Sequence, residues 1–325
     1  MEWSDLADQV LSGEDLSREQ ALAVVEAPDD QLLPVMDAAF RVRLRHHGRR
    51  VRVHVLQNAK SGVCPEDCGF CSQSLHFESA VPRYGMQDVG ELVEAAREAH
   101  EAGAVTYCIV TATRGPSPGE IETVCEATRR IKEQWPLEVC ASLGLLKDGQ
   151  ARELADAGVD RYNHNLETSR RHFPEIVSTH SWEDRVDTVT RAKAAGMEAC
   201  CGGIVGMREE AGDRVDLSLS LREIGVESVP VNLLDPRPGT PLEDAGRLSP
   251  ADALKSLAMF RLVHPEADVR IAGGREAVLG SMQPLALYAA NSMFTDGYLT
   301  TPGQDESEDH RMIRQAGFEA AVAGA

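Results

Sequence analysis

Residues 51–71 read Val-Arg-Val-His-Val-Leu-Gln-Asn-Ala-Lys-Ser-Gly-Val-Cys-Pro-Glu-Asp-Cys-Gly-Phe-Cys: a β-branched, strand-like run that opens into a loop with cysteines at 64, 68 and 71. In an α/β chain the loop after the first strand separates two architectures. An open doubly wound sheet would place a Gly-x-Gly-x-x-Gly phosphate loop there. Three cysteines occupy that position instead. Their C-x3-C-x2-C spacing, with no fourth cysteine nearby, suits a 4Fe-4S cluster held by three thiolates, whose fourth iron stays open to a substrate or cofactor. The competing reading is a structural zinc site, but such sites are normally closed by four ligands, commonly in two matched pairs, and this chain has no second pair. Pro65, Glu66, Asp67 and Gly69 mark the stretch as a polar loop rather than a core segment.

Outward from that loop the chain alternates strand and helix. Runs at 51–58, 104–111, 137–143, 159–165, 197–203, 226–233, 267–272 and 291–295 predict strands. Stretches at 89–102, 121–134, 182–195 and 249–262 predict helices between them, several ending at glycine. Eight such units fit the roughly 250 residues of a closed parallel barrel, and nothing resembling a linker interrupts them. The expected fold class is α/β, a (β/α)8 TIM-type barrel with an N-terminal helical extension. Residues 1–50 are expected as the helical lead-in, 51–303 as the barrel, and 304–325 as a C-terminal helix and tail packed on it.

The 325 residues are 42% hydrophobic, enough for a large single core. Net charge is −19, from 52 acidic against 33 basic residues, which disfavours nucleic-acid backbones and anionic lipid as partners. No apolar run approaches the roughly 20 residues that span a membrane, and the start, Met-Glu-Trp-Ser-Asp, lacks the regions of a signal peptide. A cytoplasmic enzyme is expected, with no nucleic-acid or membrane partner. Its eight cysteines are then better suited to metal or catalysis than to disulfides.

Side chains alternate along a barrel strand between the helices and the interior. In the third strand Leu137, Val139, Ala141 and Leu143 share one parity, against Glu138, Cys140 and Ser142 on the other. Arg161, Asn163, Asn165 and Glu167 share a parity in the fourth, and Glu198, Cys200 and Gly202 in the fifth; Asn232 and Arg270 stand between apolar neighbours in the sixth and seventh. So many inward polar groups predict a ligand-filled cavity, with a satisfied buried polar network as the alternative. Cys108, Cys140 and Cys200 come from three different strands and share the interior parity, so they can converge on one metal centre. A 2Fe-2S cluster needs four terminal ligands, one more than these thiols supply. Cys125 falls in a predicted helix as a packing residue, and His164 has the parity facing the helices. Gly202 and Gly203 either admit a ligand to the backbone or mark a strand irregularity.

The C-x3-C-x-aromatic-C pattern, with Phe70 as the aromatic, resembles the signature of radical S-adenosylmethionine (SAM) enzymes. Asn58-Ala-Lys-Ser-Gly-Val-Cys-Pro-Glu-Asp-Cys, Tyr162-Asn-His-Asn-Leu-Glu-Thr, Gly202-Gly-Ile-Val-Gly, Pro238-Gly-Thr-Pro-Leu, Arg270-Ile-Ala-Gly-Gly-Arg-Glu and Leu299-Thr-Thr-Pro resemble the biotin synthase family in particular. The resemblance implies sulfur insertion into dethiobiotin by radical SAM chemistry, with a 4Fe-4S cluster on Cys64, Cys68 and Cys71 and a sulfur-donating 2Fe-2S cluster on Cys108, Cys140, Cys200 and Arg270. It favours Cys200 over its neighbour Cys201. It implies that Phe70, Asn165, Glu167 and Arg185 hold SAM and that Asn163, Asn165 and Asn232 lie near dethiobiotin. Many relatives carry aspartate where Glu167 stands and tyrosine where Phe70 stands. For Arg185 alone, the competing reading is an ordinary helix-surface salt bridge. A flavodoxin-type or ferredoxin-type reductant, iron-sulfur assembly machinery and a homodimer complete the expected partners. The alternative activity is that of a sister radical SAM barrel without sulfur insertion.

Overall fold

The computed structural model describes residues 2–295, 297–300 and 303–323. Of the Leu299-Thr-Thr-Pro stretch, Thr301 and Pro302 lie outside the described residues. The strands are β1 (Arg50–Lys60), β2 (Thr106–Thr111), β3 (Glu138–Ser142), β4 (Arg161–Asn163), β5 (Glu198–Cys200), β6 (Gly203–Val205), β7 (Ser228–Leu233), β8 (Asp268–Ile271), β9 (Ser292–Phe294) and β10 (Glu319–Ala320). All pairings between them are parallel, in the order β1-β2-β3-β4-β5-β7-β8-β9. Arg52, Val53 and His54 of β1 then pair with Ser292, Met293 and Phe294 of β9 and close the sheet. The expected barrel is therefore present, and β10 adds a short outer strand at the start of β1.

The N-terminal helices α1 (Trp3–Leu11), α2 (Arg18–Val25) and α3 (Leu32–His47) pack against two of the barrel helices, α8 (Ala211–Ile224) and α9 (Pro250–Val263). On the opposite side α4 (Val89–Glu101), α5 (Pro118–Gln134), α6 (Gln150–Asp156) and α7 (Trp182–Ala194) cover β2 to β5. Two short helices, α10 (Arg275–Leu279) and α11 (Gln283–Ala286), and the longer α12 (Glu306–Gln315) follow. Reciprocal caps fix where the helices start: Asp88 with Glu91 on α4, Ser117 with Glu120 on α5, and Ser181 with Asp184 on α7. Each pair satisfies backbone N–H groups that the first helical turn leaves without partners. Cys125 packs in the apolar layer beneath α5, as its helical position predicts.

The fifth strand departs from the expected continuous run. It breaks into β5 and β6 at Cys201 and Gly202. A Cβ on Gly202 would stand 1.9 Å from the carbonyl oxygen of Pro230, and one on Gly203 would stand 2.4 Å from that of Glu167. These glycines admit neighbouring backbone, so the strand irregularity is the reading that holds.

The barrel interior is layered. Glu138, Arg161, Glu198 and Asp268 are each the first residue of their strand, so their side chains meet at the strand N-terminal end. Arg161 binds Glu198 at 2.5 Å, Asp268 at 3.2 Å and Glu138 at 3.5 Å. This floor is a satisfied polar network. Above it Cys108, Cys140 and Cys200 cluster with Leu56, Val110, Ala272, Phe294 and Tyr298. Inward polarity thus serves both anticipated roles, at different depths.

Candidate active site

The loop after β1 carries Cys64, Cys68 and Cys71 over the C-terminal end of the barrel, where (β/α)8 enzymes build their sites. All three are free thiols lining a cavity of about 270 Å³ together with Phe70, Asn163, Asn165, Glu167, Arg185 and Asn232. Cys108, one strand layer deeper, lines the same cavity. Cys64 N–H donates to the carbonyl of Gln73 at 3.1 Å and Leu75 N–H to that of Cys64 at 2.8 Å, which folds the loop on itself. Asp67 ties it to the segment before α7, accepting from the N–H groups of Ser178 and Thr179 at 3.0 and 3.1 Å. Burial pushes all three thiols up, Cys71 to about 11, so iron binding must displace their protons. Among the described residues no three His, Cys, Asp or Glu side chains form a single-ion site.

Arg185 is 6% exposed and belongs to no surface ion pair. It enters from the first turn of α7. Its Nη1 donates to the Asn165 carbonyl at 2.7 Å and to Glu167 Oε1 at 3.3 Å, its Nη2 stands 3.7 Å from Cys68 Sγ, and its guanidinium lies over the Phe173 ring at 5.5 Å. Glu167 holds a left-handed backbone with φ of 68°. Its Oε2 is buried without a partner, and burial raises its pKa. An unpaired buried carboxylate oxygen is costly unless something comes to meet it. The side-chain oxygen of Asn165 accepts from Gly202 N–H at 3.1 Å, leaving its amide hydrogens for other acceptors. Asn232 bridges Gly203 O and Gly273 N–H at 3.2 and 2.9 Å. Asn163 pairs with Cys200 across β4 and β5.

The deeper thiols come from β2, β3 and β5, the last separated from β3 by β4. Cys108 is in register with Cys140. The contact with Cys108 raises the Cys140 thiol, and that with Cys140 raises Cys200. Cys201 instead packs in the apolar core behind the wall. Arg270, 1% exposed, reaches Cys200 Sγ with Nη1 at 3.6 Å, and Ser228 Oγ and Asp268 Oδ2 with Nη2 at 3.0 and 3.1 Å. Its Nε is buried without a partner. Burial works against its charge, but Cys200 and Asp268 outweigh it and hold the pKa above the ordinary value. The three thiols fit three of the four ligand positions of a 2Fe-2S cluster, with the Arg270 guanidinium beside Cys200.

β4 ends at Asn163, and His164 after it is a buried residue of the cavity lining with Nε2 unpartnered. Phe294 and Tyr298, which cover the deeper thiols, carried no sequence signal. Asp268 did: two residues before Arg270 on one strand, it shares that face.

The residue pattern extends to whole-chain comparison. Residues 59–221 match the radical SAM superfamily and 230–319 the biotin and thiamin synthesis associated domain. A biotin synthase of Salinibacter ruber is 70% identical over 98% of this chain and 89% of the relative, and one of Bacillus licheniformis is 49% identical over 98% and 96%. The chain belongs to the biotin synthase family. Members of that family carry a 4Fe-4S cluster with SAM and a 2Fe-2S cluster. The crystal structure of methylornithine synthase, only 20% identical, superposes with a TM-score of 0.85 over 98% of both chains, a likeness of fold.

Proposed function

We propose that this chain converts dethiobiotin to biotin as its family does, with Cys64, Cys68 and Cys71 holding the 4Fe-4S cluster and Cys108, Cys140, Cys200 and Arg270 holding the 2Fe-2S cluster. When bound, these groups supply the electron that cleaves SAM to methionine and a 5′-deoxyadenosyl radical, and the sulfur that enters the substrate. The single observation that carries the assignment is the stacking of two separate three-thiol sets, one at the mouth of the cavity and one beneath it.

The chain's own residues supply placement. Arg185, held in a rigid fork, pairs with the methionyl carboxylate. Glu167 turns its unpartnered oxygen to the ribose hydroxyls, and Phe70 packs beside the cysteines as an apolar wall. The amides of Asn163, Asn165 and Asn232 offer donors and acceptors to a ureido ring, the last two from orientations already fixed by backbone contacts. Ser72 and Thr300 are 3.0 Å apart, tying the cysteine loop to the end of the barrel. Such cover keeps water from a reactive radical.

Each SAM cleavage consumes an electron that the side chains cannot provide, so a flavodoxin-type or ferredoxin-type carrier is the reductant in this reading. Iron-sulfur assembly proteins install the clusters, and the enzyme works as a cytoplasmic homodimer. Among the described residues no helix is long and apolar enough to cross a membrane. The test is anaerobic reconstitution with iron and sulfide counts and Mössbauer spectroscopy. Two distinct cluster types are expected; a 4Fe-4S signal alone, with SAM cleavage intact, would instead select a sister enzyme without sulfur insertion.

A further inference from the structure

Arg185 is held from behind as well as in front. Its Nε donates to His180 Nε2 at 2.9 Å, and His180 Nδ1 stands 2.5 Å from Glu66 Oε2. Both His180 and Glu66 are buried, with side chains 3% and 6% exposed. Glu66 lies between Cys64 and Cys68, so the chain of contacts runs from inside the cysteine motif to the guanidinium.

The chemistry of the donors fixes the ring's state. Arginine Nε–H can only donate, so His180 Nε2 presents its lone pair. The ring proton then resides on Nδ1, where the carboxylate of Glu66 accepts it. A doubly protonated ring would turn an N–H toward an N–H. Glu66 is itself pinned, accepting from Thr179 Oγ1 through Oε2 and from Arg114 Nη1 at 3.1 Å through Oε1. Phe173 supplies a common apolar platform, edge-on to His180 at 5.7 Å and beneath the Arg185 guanidinium at 5.5 Å. Every freedom of Arg185 at Nε is thereby removed, while Nη1 and Nη2 remain directed at Asn165, Glu167 and Cys68.

We propose that His180 is a positioning residue: locked as the neutral Nδ1–H tautomer between Glu66 and Arg185, it orients the guanidinium for the carboxylate of SAM. The proposal rests on the reading that Arg185 receives that carboxylate. The lock also couples the two halves of the site. Cys68 and Arg185 cannot shift independently when Glu66 and His180 join them through buried, charge-assisted bonds.

The test compares the anaerobically reconstituted holoenzyme with its His180→Met, His180→Gln and Arg185→Gln variants by equilibrium binding of SAM, iron content and thermal melting. Methionine fills similar space without a hydrogen bond, whereas glutamine can present one donor and one acceptor. His180→Met is expected to weaken SAM binding about tenfold and to lower the melting temperature modestly, with iron content unchanged, and His180→Gln to restore most of the affinity. SAM binding by His180→Met at the wild-type level, while Arg185→Gln loses it, would overturn the proposal and leave the role of Arg185 standing. Wild-type binding by Arg185→Gln would overturn the role of Arg185 itself. Loss of iron from His180→Met would show that His180 holds the cysteine loop rather than the guanidinium, and would also overturn the proposal.

Discussion

Cys200 and Cys201 are adjacent in sequence and face opposite sides of the barrel wall. Cys200 meets Cys140 and Arg270 inside, whereas Cys201 packs among the apolar side chains behind β5. A one-residue step in a strand exchanges faces completely. Cys200→Ala should therefore lose the 2Fe-2S spectrum and biotin formation, and Cys201→Ala should keep both at a modest cost in stability from the small cavity. Ultraviolet-visible spectra and single-turnover assays of the two variants decide it. Loss in Cys201→Ala alone would make Cys201, not Cys200, the ligand.

Each cysteine of the loop should be indispensable to SAM cleavage. Cys64, Cys68 and Cys71 share the mouth of the cavity, and no further thiol of the described residues lies beside them there except Cys108, which belongs to the deeper layer. An incomplete ligand set loses or misassembles the cube. Cys64→Ala, Cys68→Ala and Cys71→Ala should each reduce 5′-deoxyadenosine formation to background. Substantial product from any one of them would remove that residue from the cluster.

The strand run and cysteine motif of residues 51–71 made the barrel and the loop legible, because β-branched alternation and unusual thiol spacing are local signals. The face of Cys108, Cys140 and Cys200 was legible for the same reason: period-two alternation survives folding wherever a strand is regular. It carries no information past Asn163, where β4 ends. The break at Gly202 was ambiguous, since its cause is the carbonyl of Pro230 on another strand. His180 and Glu66, 114 residues apart, left no local trace at all.

The close backbone approach at Gly202 gives a separate expectation. A methyl group there would stand 1.9 Å from Pro230 O, and the glycine N–H also holds the side chain of Asn165. Gly202→Ala must displace β7 or Asn165. A loss of about 2 kcal/mol or more is expected, together with weaker SAM binding. Urea unfolding and SAM titration measure both; a variant unchanged in each would mean that the strands can separate freely.

His264 should make the chain less stable in mild acid. It is 5% exposed, its Nε2 lies 3.0 Å from the Ser218 carbonyl, and burial brings its pKa down to about 3. The unfolded chain takes up this proton first as pH falls. Stability from the neutral ring is thus complete above the ordinary histidine pKa near 6.5 and is lost progressively toward pH 3. His264→Gln keeps a donor for Ser218 but cannot titrate. Between pH 7 and 5 the wild type should lose about 2 kcal/mol more than this variant, as read from urea unfolding at each pH. Parallel losses would show that the ring is protonated in the folded chain or accessible to water.

Arg270 stands where its chemistry is least expected, because guanidinium is ordinarily a donor without a lone pair. Here Asp268 neutralises its Nη2 side while Nη1 faces Cys200 and Nε has no partner. If it completes the 2Fe-2S coordination, its loss should alter that cluster and leave the outer one intact. Removal need not break the floor, since Asp268 keeps Arg161 at 3.2 Å and Asn291 Nδ2 at 2.9 Å. Arg270→Ala should retain the 4Fe-4S cluster and SAM binding, form some biotin, and show a shifted or less stable 2Fe-2S absorption, as ligand and supporting changes usually tune a metal site as well as hold it. Arg270→Cys should give an all-thiolate cluster. Mössbauer and ultraviolet-visible spectra of both variants, taken beside single-turnover assays, separate the roles. Unchanged 2Fe-2S spectra in the two would leave Arg270 as the structural partner of Asp268 and Ser228, outside the coordination shell.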